Sequence, residues 1–196
     1  DGRAPVALID SYHDERAFAA DDNLLNSTRS TDFITPKSEM SRRFRDAVLE
    51  LASDCAFARP LVNSGRLSMP TPYVHSPLNT PDDSVFAGKM VPGTNCADAP
   101  VQVGGKDSWF LNQIGDGFTV LVFGDAPVAS LESNGISARI LRVGTDLVDA
   151  KGVLGARYDG QPGTTYLLRP DQHVAARWRS FDLSKISHAL ARATAH

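Results

Sequence analysis

Two cysteines, five histidines and a few glycine turns are the residues through which this chain could do chemistry. Thiol–disulfide exchange needs a low-pKa cysteine at a helix N-terminus with a resolving partner beside it. Cys55 and Cys96 stand far apart and belong to no Cys-x-x-Cys or Cys/His ligand pattern, so both are expected to be free thiols. Among the histidines (His13, His75, His173, His188 and His196), His13 with Asp14 and Glu15 would suit a metal or an acid/base pair. On a helix, however, successive side chains point in different directions and these three cannot converge. Asp171 and His173 fall in a Pro-Asp turn expected to face water, where a base has nothing to activate. His188 lies among alanines near the end of the chain and reads as packing or surface. A phosphate cradle needs glycines at defined spacing between a strand and a helix. Gly104-Gly105 and Gly115-x-Gly117 read instead as turns. These residues therefore assign no catalytic, cofactor-binding or metal-binding position.

The elements that must position these residues fall into three stretches. Residues 1–65 read as helical. Pro5 suits a first helical turn, and Leu8/Ile9, Tyr12, Ala19/Ala20 and Leu24 recur near helical spacing as an expected buried stripe. Arg16 falls on that stripe and must snorkel out or find an acidic partner. A second helix is predicted with Thr35 as N-cap and Pro36 at its first position. Met40, Phe44, Val48 and Leu51 would form its apolar face, with Arg42, Arg43 and Glu50 pointing away. Residues 66–100 are a connector punctuated by Pro70, Pro72, Pro77, Pro81, Pro92 and Pro100. Each proline removes a donor and fixes φ, which excludes a long helix or a central strand. An ordered, extended crossing or linker outside the core is expected there.

Residues 101–196 alternate strand and helix patterns. The run 118–123 is apolar throughout and suits a strand covered on both faces. A weak helix is predicted at 128–133, a strand at 136–143, and a short helical piece near 150–154. Strands follow at 164–169 and 174–179, joined by a turn at Pro170-Asp171-Gln172-His173. The last helix, 181–195, takes Ser184 or Asp182 as N-cap and buries Ile186, Leu190 and Ala193. The fold class is α/β. This order of strands and helices is that of a thioredoxin-like domain. Where a redox thioredoxin carries its cysteines, this chain has Gly124-Asp125-Ala126-Pro127, so the domain is expected to be redox-inactive.

The 196 residues are 42 % apolar and 22 % charged, the composition of a folded globular chain of one ordinary domain or one small domain plus an appendage. Net charge −3 and a pI near 5.9 leave no global basic field for nucleic acid or an anionic membrane. The densest basic cluster, Arg42-Arg43-Phe44-Arg45, reads as a solvated helix face. No apolar run approaches the roughly 20 residues of a membrane span. The opening Asp1-Gly2-Arg3-Ala4-Pro5 has neither an initiator Met nor a signal-peptide pattern, and looks cut from something longer. So few cysteines fit a reducing cytoplasm.

The stretch Leu8-Ile9-Asp10-Ser11-Tyr12-His13-Asp14-Glu15-Arg16 resembles the LLDSYHAERRP element of FAD-dependent aromatic hydroxylases of the phenol hydroxylase and hydroxyphenylpropionate hydroxylase group. Asp1-Gly2-Arg3-Ala4 resembles the connection just upstream of that element. Ser30-Thr31-Asp32-Phe33 and Ala58-Arg59-Pro60-Leu61-Val62-Asn63-Ser64-Gly65-Arg66-Leu67-Ser68 resemble the end of the family's FAD/substrate portion. Pro92-Gly93 through Asp98-Ala99-Pro100-Val101 resembles the entry to its C-terminal domain. Leu168-Arg169-Pro170-Asp171-Gln172-His173-Val174-Ala175-Ala176-Arg177-Trp178 resembles its VRPDxHVAWR hairpin. Five motifs in the family's order cover nearly the whole chain. Phe18 departs from the pattern, standing where the family tends to have proline.

The resemblance implies a C-terminal part of a class A flavoprotein monooxygenase: a helical tail end of the FAD/substrate portion (1–65), the connector (66–100) and a redox-inactive thioredoxin-like domain (101–196). In such a parent, NAD(P)H reduces FAD and the flavin hydroperoxide hydroxylates a phenolic ring. The family's N-terminal FAD fingerprint, its NADPH-contacting motif and its FAD-contacting GD motif have no counterpart here, so none of its catalytic or FAD-binding residues carries over. Neither FAD nor NAD(P)H is expected to bind this chain alone. Its expected partners are the remainder of the parent flavoprotein and a second copy in a homodimer, with no nucleic acid or membrane. The chain then supplies scaffold, interdomain contact or subunit contact. The rival expectation is an independent, non-catalytic thioredoxin-like binding or assembly module. A thiol-dependent redox protein is disfavoured by Gly124-Asp125-Ala126-Pro127.

Overall fold

The computed structural model describes residues 4–62 and 69–196. The expected boundary at 65/66, Asp1-Gly2-Arg3 and Asn63-Ser64-Gly65-Arg66-Leu67-Ser68 lie outside the described residues. Helices α1 (Ala7–Ile34) and α2 (Glu39–Asp54) come first, then a 3-10 turn (Ala56–Ala58) and the short α3 (Arg59–Val62). A hairpin of β1 (Pro100–Val103) and β2 (Lys106–Trp109) precedes the single-turn α4 (Leu111–Ile114). The chain continues through β3 (Phe118–Phe123), β4 (Ser130–Ser133), β5 (Ile136–Val143), α5 (Val153–Tyr158), β6 (Thr165–Leu168), β7 (Val174–Trp178) and α6 (Leu183–Ala193). One compact unit comprises the described residues up to Glu15 with Pro72–His196; the other runs from Arg16 to Thr71.

The apolar run of β3 becomes the middle of a five-stranded sheet of order β4-β5-β3-β6-β7. It pairs parallel with β5 and antiparallel with β6, while β6–β7 and β4–β5 are antiparallel. Because strand side chains alternate, β3 feeds two cores. Val120 and Val122 pack on one face with Ile186, Leu190 and Trp178; Leu121 and Phe123 pack on the other with Tyr158, Tyr166 and Phe110. On the second face Tyr158 stands edge-on to both Phe110 and Tyr166, with centroids 5.4 and 5.2 Å apart. Tyr166 donates its hydroxyl to the Tyr158 carbonyl and Tyr158 donates to that of Ala97. These bonds satisfy polar tips that burial would otherwise strand.

The closing helix follows its sequence signals. Asp182 caps α6 by accepting from the Ser184 and Lys185 amides, and Ile186, Ala189, Leu190 and Ala193 are buried. Two expectations for this region need correction. Residues 128–133 are not helical: β4 lies there as an edge strand, turned by Asn134 at φ 51° and Gly135 at φ 72° into β5. The turn residues favour a tight hairpin, and β4 alternates exposed and half-buried positions, as an edge strand does. The short helix predicted near 150–154 sits later, at Val153–Tyr158.

Among its described residues, 69–99, the proline-rich segment forms no long helix and no named strand, as its prolines require. It is nonetheless part of the core, against the expectation from its composition: Tyr73, Leu78, Cys96 and Ala99 are buried. Its backbone is stitched to the sheet by Thr80 N to Ala175 O (2.8 Å), Gly93 N to Val174 O (2.7 Å) and Cys96 N to Gln172 O (2.7 Å).

In the helices, the expected stripe does not match burial. Ser11 and Glu15 are the buried residues of α1, whereas Ile9, Tyr12, Arg16 and Leu24 are exposed. Helix α2 starts three residues after the expected point, with Ser38 rather than Thr35 as N-cap; the Ser38 hydroxyl accepts from the Ser41 amide. Val48 is buried on the expected face of α2, but Met40, Phe44 and Leu51 are exposed.

Candidate functional site

A buried ion network links three segments of the first unit. It is built from Glu15 in α1, Ser76 in the crossing segment, and Arg169, Asp171 and His173 around the β6–β7 turn. Arg169 grips Glu15 with both terminal nitrogens, Nη1–Oε1 at 2.6 Å and Nη2–Oε2 at 2.9 Å. The same guanidinium reaches Asp171 through Nε (3.1 Å) and Nη2 (2.7 Å). Ser76 donates its hydroxyl to Glu15 Oε1 at 2.6 Å. This fork-to-fork geometry is the strong form of an arginine–carboxylate pair. Nearby, His173 stacks on Tyr73 with centroids 4.7 Å apart, and its Nδ1 lies 3.1 Å from the Asp171 carbonyl.

The electrostatics follow from these partners. Burial pushes the Glu15 carboxyl up, but hydrogen bonds from Arg169 and Ser76 with the arginine charge outweigh it, leaving the group below its usual value. Asp171 is likewise raised by burial, yet His173 and Arg169 bring it down to about 2. Arg169 loses some stability as a cation through burial, regains more from Glu15 and Asp171, and stays charged. Glu15, Asp171 and Arg169 are thus a fixed set of ions. Their pairing suits holding three chain segments together.

Glu15 and Arg169 lie 154 positions apart in sequence. They belong to the two stretches that most resemble the hydroxylase family, 8–16 and 168–178. Their pairing gives that resemblance a physical basis, because each motif supplies one half of the bridge. The turn at Pro170-Asp171-Gln172-His173 is present, with Gln172 at φ 62°. It does not simply face water: Asp171 is bridged by Arg169, and the His173 side chain is 12 % exposed. Composition and periodicity concealed Glu15, since a carboxylate on a helix reads as surface. The available signal was Arg169, a charge placed directly after the buried run Thr165-Tyr166-Leu167-Leu168 and therefore in need of a partner.

A second clamp holds the middle of the crossing segment. Arg177, in a strand buried at every position, pairs with Asp82 through Nη2–Oδ2 at 2.6 Å and Nε–Oδ1 at 2.9 Å. The guanidinium groups of Arg177 and Arg179 both stack on the Phe86 ring, 4.3 and 3.8 Å from its centroid. Arg179 also pairs with Asp159, whose other contact is the Ala87 amide. Such stacking attaches an otherwise polar segment to the sheet.

The remaining candidates stay apart. His13 and Asp14 are exposed while Glu15 turns inward, so the three do not converge. Cys55 is the half-buried C-cap of α2, and Cys96 is a buried thiol; both are free. Burial raises the Cys96 thiol to about 12, far from the range of a nucleophile. Gly104 and Gly105 form the β1–β2 turn at φ 57° and 77°, and Gly115-x-Gly117 leads into β3. His188 and His196 are exposed. Among the described residues no group of three or more His, Cys, Asp or Glu side chains is placed to hold a metal ion, and no helix is long and apolar enough to cross a membrane.

The architecture is one found in flavin-dependent monooxygenases. No family profile and no curated protein matches the sequence. Among solved structures, the chain is similar to the flavin-dependent monooxygenase PieE, solved with FAD and substrate, at TM-score 0.70 and 19 % identity, covering 99 % of this chain and 41 % of that one. Aklavinone-11 hydroxylase, in a ternary complex with FAD and aklavinone, gives TM-score 0.66 and 21 % identity over 100 % of this chain and 36 % of that one. The rebeccamycin biosynthetic enzyme RebC with reduced flavin gives 0.64 and 18 %, over 98 % and 37 %. The chain therefore spans only about two-fifths of the length of these proteins, and at such identities the likeness is one of fold.

Proposed function

We propose that this chain is the C-terminal part of an FAD-dependent monooxygenase that hydroxylates an aromatic, phenolic substrate using NAD(P)H and O2, and that its own contribution is structural. The observation that carries the reading is the Glu15–Arg169 bridge, which joins the two family-like motifs inside a fold similar over its whole length to part of flavin-dependent monooxygenases. The domain 101–196 is assigned as thioredoxin-like. Supporting this, strands β5-β3-β6-β7 have the order and directions of that fold, with α5 before β6 and α6 after β7. One departure is that β4 replaces the helix expected between the first two strands. With Gly124-Asp125-Ala126-Pro127 beyond β3 and Cys96 buried, the domain acts as scaffold rather than as a thiol catalyst. FAD and NAD(P)H are held by the remainder of the parent, which is this chain's principal partner, and the protein works in the cytoplasm.

The test is the coding sequence upstream of Asp1. A continuous reading frame containing a Gly-x-Gly-x-x-Gly fingerprint, whose protein purifies with bound flavin and oxidises NAD(P)H when given a phenol, is the expected result. A start codon immediately before Asp1, with a product that is colourless and folded alone, would support the independent assembly module instead.

A further inference from the structure

A groove of about 470 Å³ is lined by α6 and the segment Thr80–Asp83. The inner face of α6 is buried, and Lys185, His188 and Arg192 follow one another along its outer side. All three line the groove, together with His196. Trp178, Ala189 and Pro81 add apolar surface to its lining. One carboxylate enters it: Asp83, whose Oδ2 is 2.6 Å from Lys185 Nζ. Among the described residues no ion pair engages Arg192 or His188. Thr80 is fixed by its backbone bond to Ala175, yet its hydroxyl is buried with no hydrogen-bond partner among the described residues.

We propose that this groove binds a small phosphorylated molecule, with the phosphoryl dianion held by Arg192 and Lys185 and the organic body resting on Trp178, Pro81 and Ala189. Charge favours this class: Lys185, Arg192, His188 and His196 line the groove with Asp83 as the one acidic side chain among them, although Asp182 also acts on the Lys185 charge. Geometry favours it as well, since the arginine fork matches two phosphoryl oxygens and a volume of this size suits a small ligand rather than a bare ion. Asp83 competes with the ligand for Lys185, so its removal should strengthen binding.

Phenyl phosphate is a suitable probe, titrated at constant ionic strength into the 196-residue chain while backbone amide resonances are followed. Saturable shifts are expected at Thr80, Lys185, His188 and Arg192. Arg192→Gln should weaken binding about tenfold, the loss of one charge-assisted contact, and Asp83→Asn should tighten it. Both side chains are solvent-accessible, so unchanged thermal midpoints are expected to show that the fold is intact. Shifts that never saturate, shifts equalled by benzoate at the same concentration, or affinities unmoved by both substitutions would each overturn the proposal.

Discussion

Glu15 sits among exposed neighbours on α1, yet it is 7 % exposed because Arg169 and Ser76 claim it. Removing one partner of a buried pair costs more than the pair is worth, since the other charge stays behind in a poor solvent. Here Asp171 remains to hold Arg169, so Glu15→Gln is expected to lower unfolding free energy by about 3 kcal/mol, the low end for a broken buried pair. Urea denaturation measures it, and a loss below about 0.5 kcal/mol would place Glu15 with ordinary surface carboxylates. Acid should act on the same residues. Both Glu15 and Asp171 titrate lower in the folded chain than when unfolded, Asp171 at about 2 against an ordinary 3.8. A depressed carboxyl contributes stability that is complete above its unfolded value and disappears as pH falls through the folded one. Stability should therefore fall as pH drops from about 4.5 towards 2, with a shallower fall in Glu15→Gln; parallel curves for the two proteins would contradict this. The thiols offer a further residue-level test. With both cysteines free and Cys96 buried, a thiol reagent should label Cys55 alone in the folded chain and both in denaturant. A count of zero in denaturant without reductant would mean the two are paired.

At the scale of elements, what could be read from the sequence was set by how completely local signals determine structure. The β3 run, the β6–β7 turn and α6 were legible because each combines a strong pattern with its own stop signals. Strand β4 was not: Ser130-Leu131-Glu132-Ser133 is too short for periodicity to tell strand from helix, and its pairing with β5 decides it. In α1 the apolar residues suggested a stripe, but burial falls on the polar residues Ser11 and Glu15, and Glu15 is claimed by a partner 154 positions away. The crossing segment misled for a related reason. Its composition reads as a linker, yet it is held by backbone bonds and arginine clamps that no local window contains. Gly93 shows how tight that docking is. It has φ 94°, and a Cβ there would lie 2.4 Å from the Tyr73 carbonyl oxygen. Both the left-handed conformation and the collision oppose any side chain. Gly93→Ala is expected to cost more than about 2 kcal/mol and to loosen Tyr73 from His173, read as lost amide protection across 72–96. Unchanged protection there would show that the close approach relaxes without cost.

For the whole molecule, the contrast between the two units is where apolar side chains end up. The first unit buries two clusters of large residues, one on each face of the sheet, although Val6, Ile9, Tyr12 and Val85 stay exposed. In the second, the described residues bury Val48 and Ala58, while Leu24, Ile34, Met40, Phe44 and Phe57 are all more than 60 % exposed. Each large apolar side chain left in water forgoes roughly 1.5–3 kcal/mol of burial, and where such side chains adjoin they mark an interaction surface. The mixed face of α2 makes the point locally, since Met40 and Phe44 lie on the same side as the buried Val48 with nothing in the second unit covering them to the same degree. If the remainder of a flavoprotein is the natural cover, the 196-residue chain alone must find another. Self-association through this surface is the expected outcome, with apparent mass rising with concentration in light scattering. Met40→Gln combined with Phe44→Gln should shift that rise to higher concentration by about tenfold, because two exposed anchors are lost while the buried Val48 is retained. A chain that stays monomeric at millimolar concentration, or a double variant that associates as readily as the parent, would mean that these side chains are tolerated in water and that no cover is required.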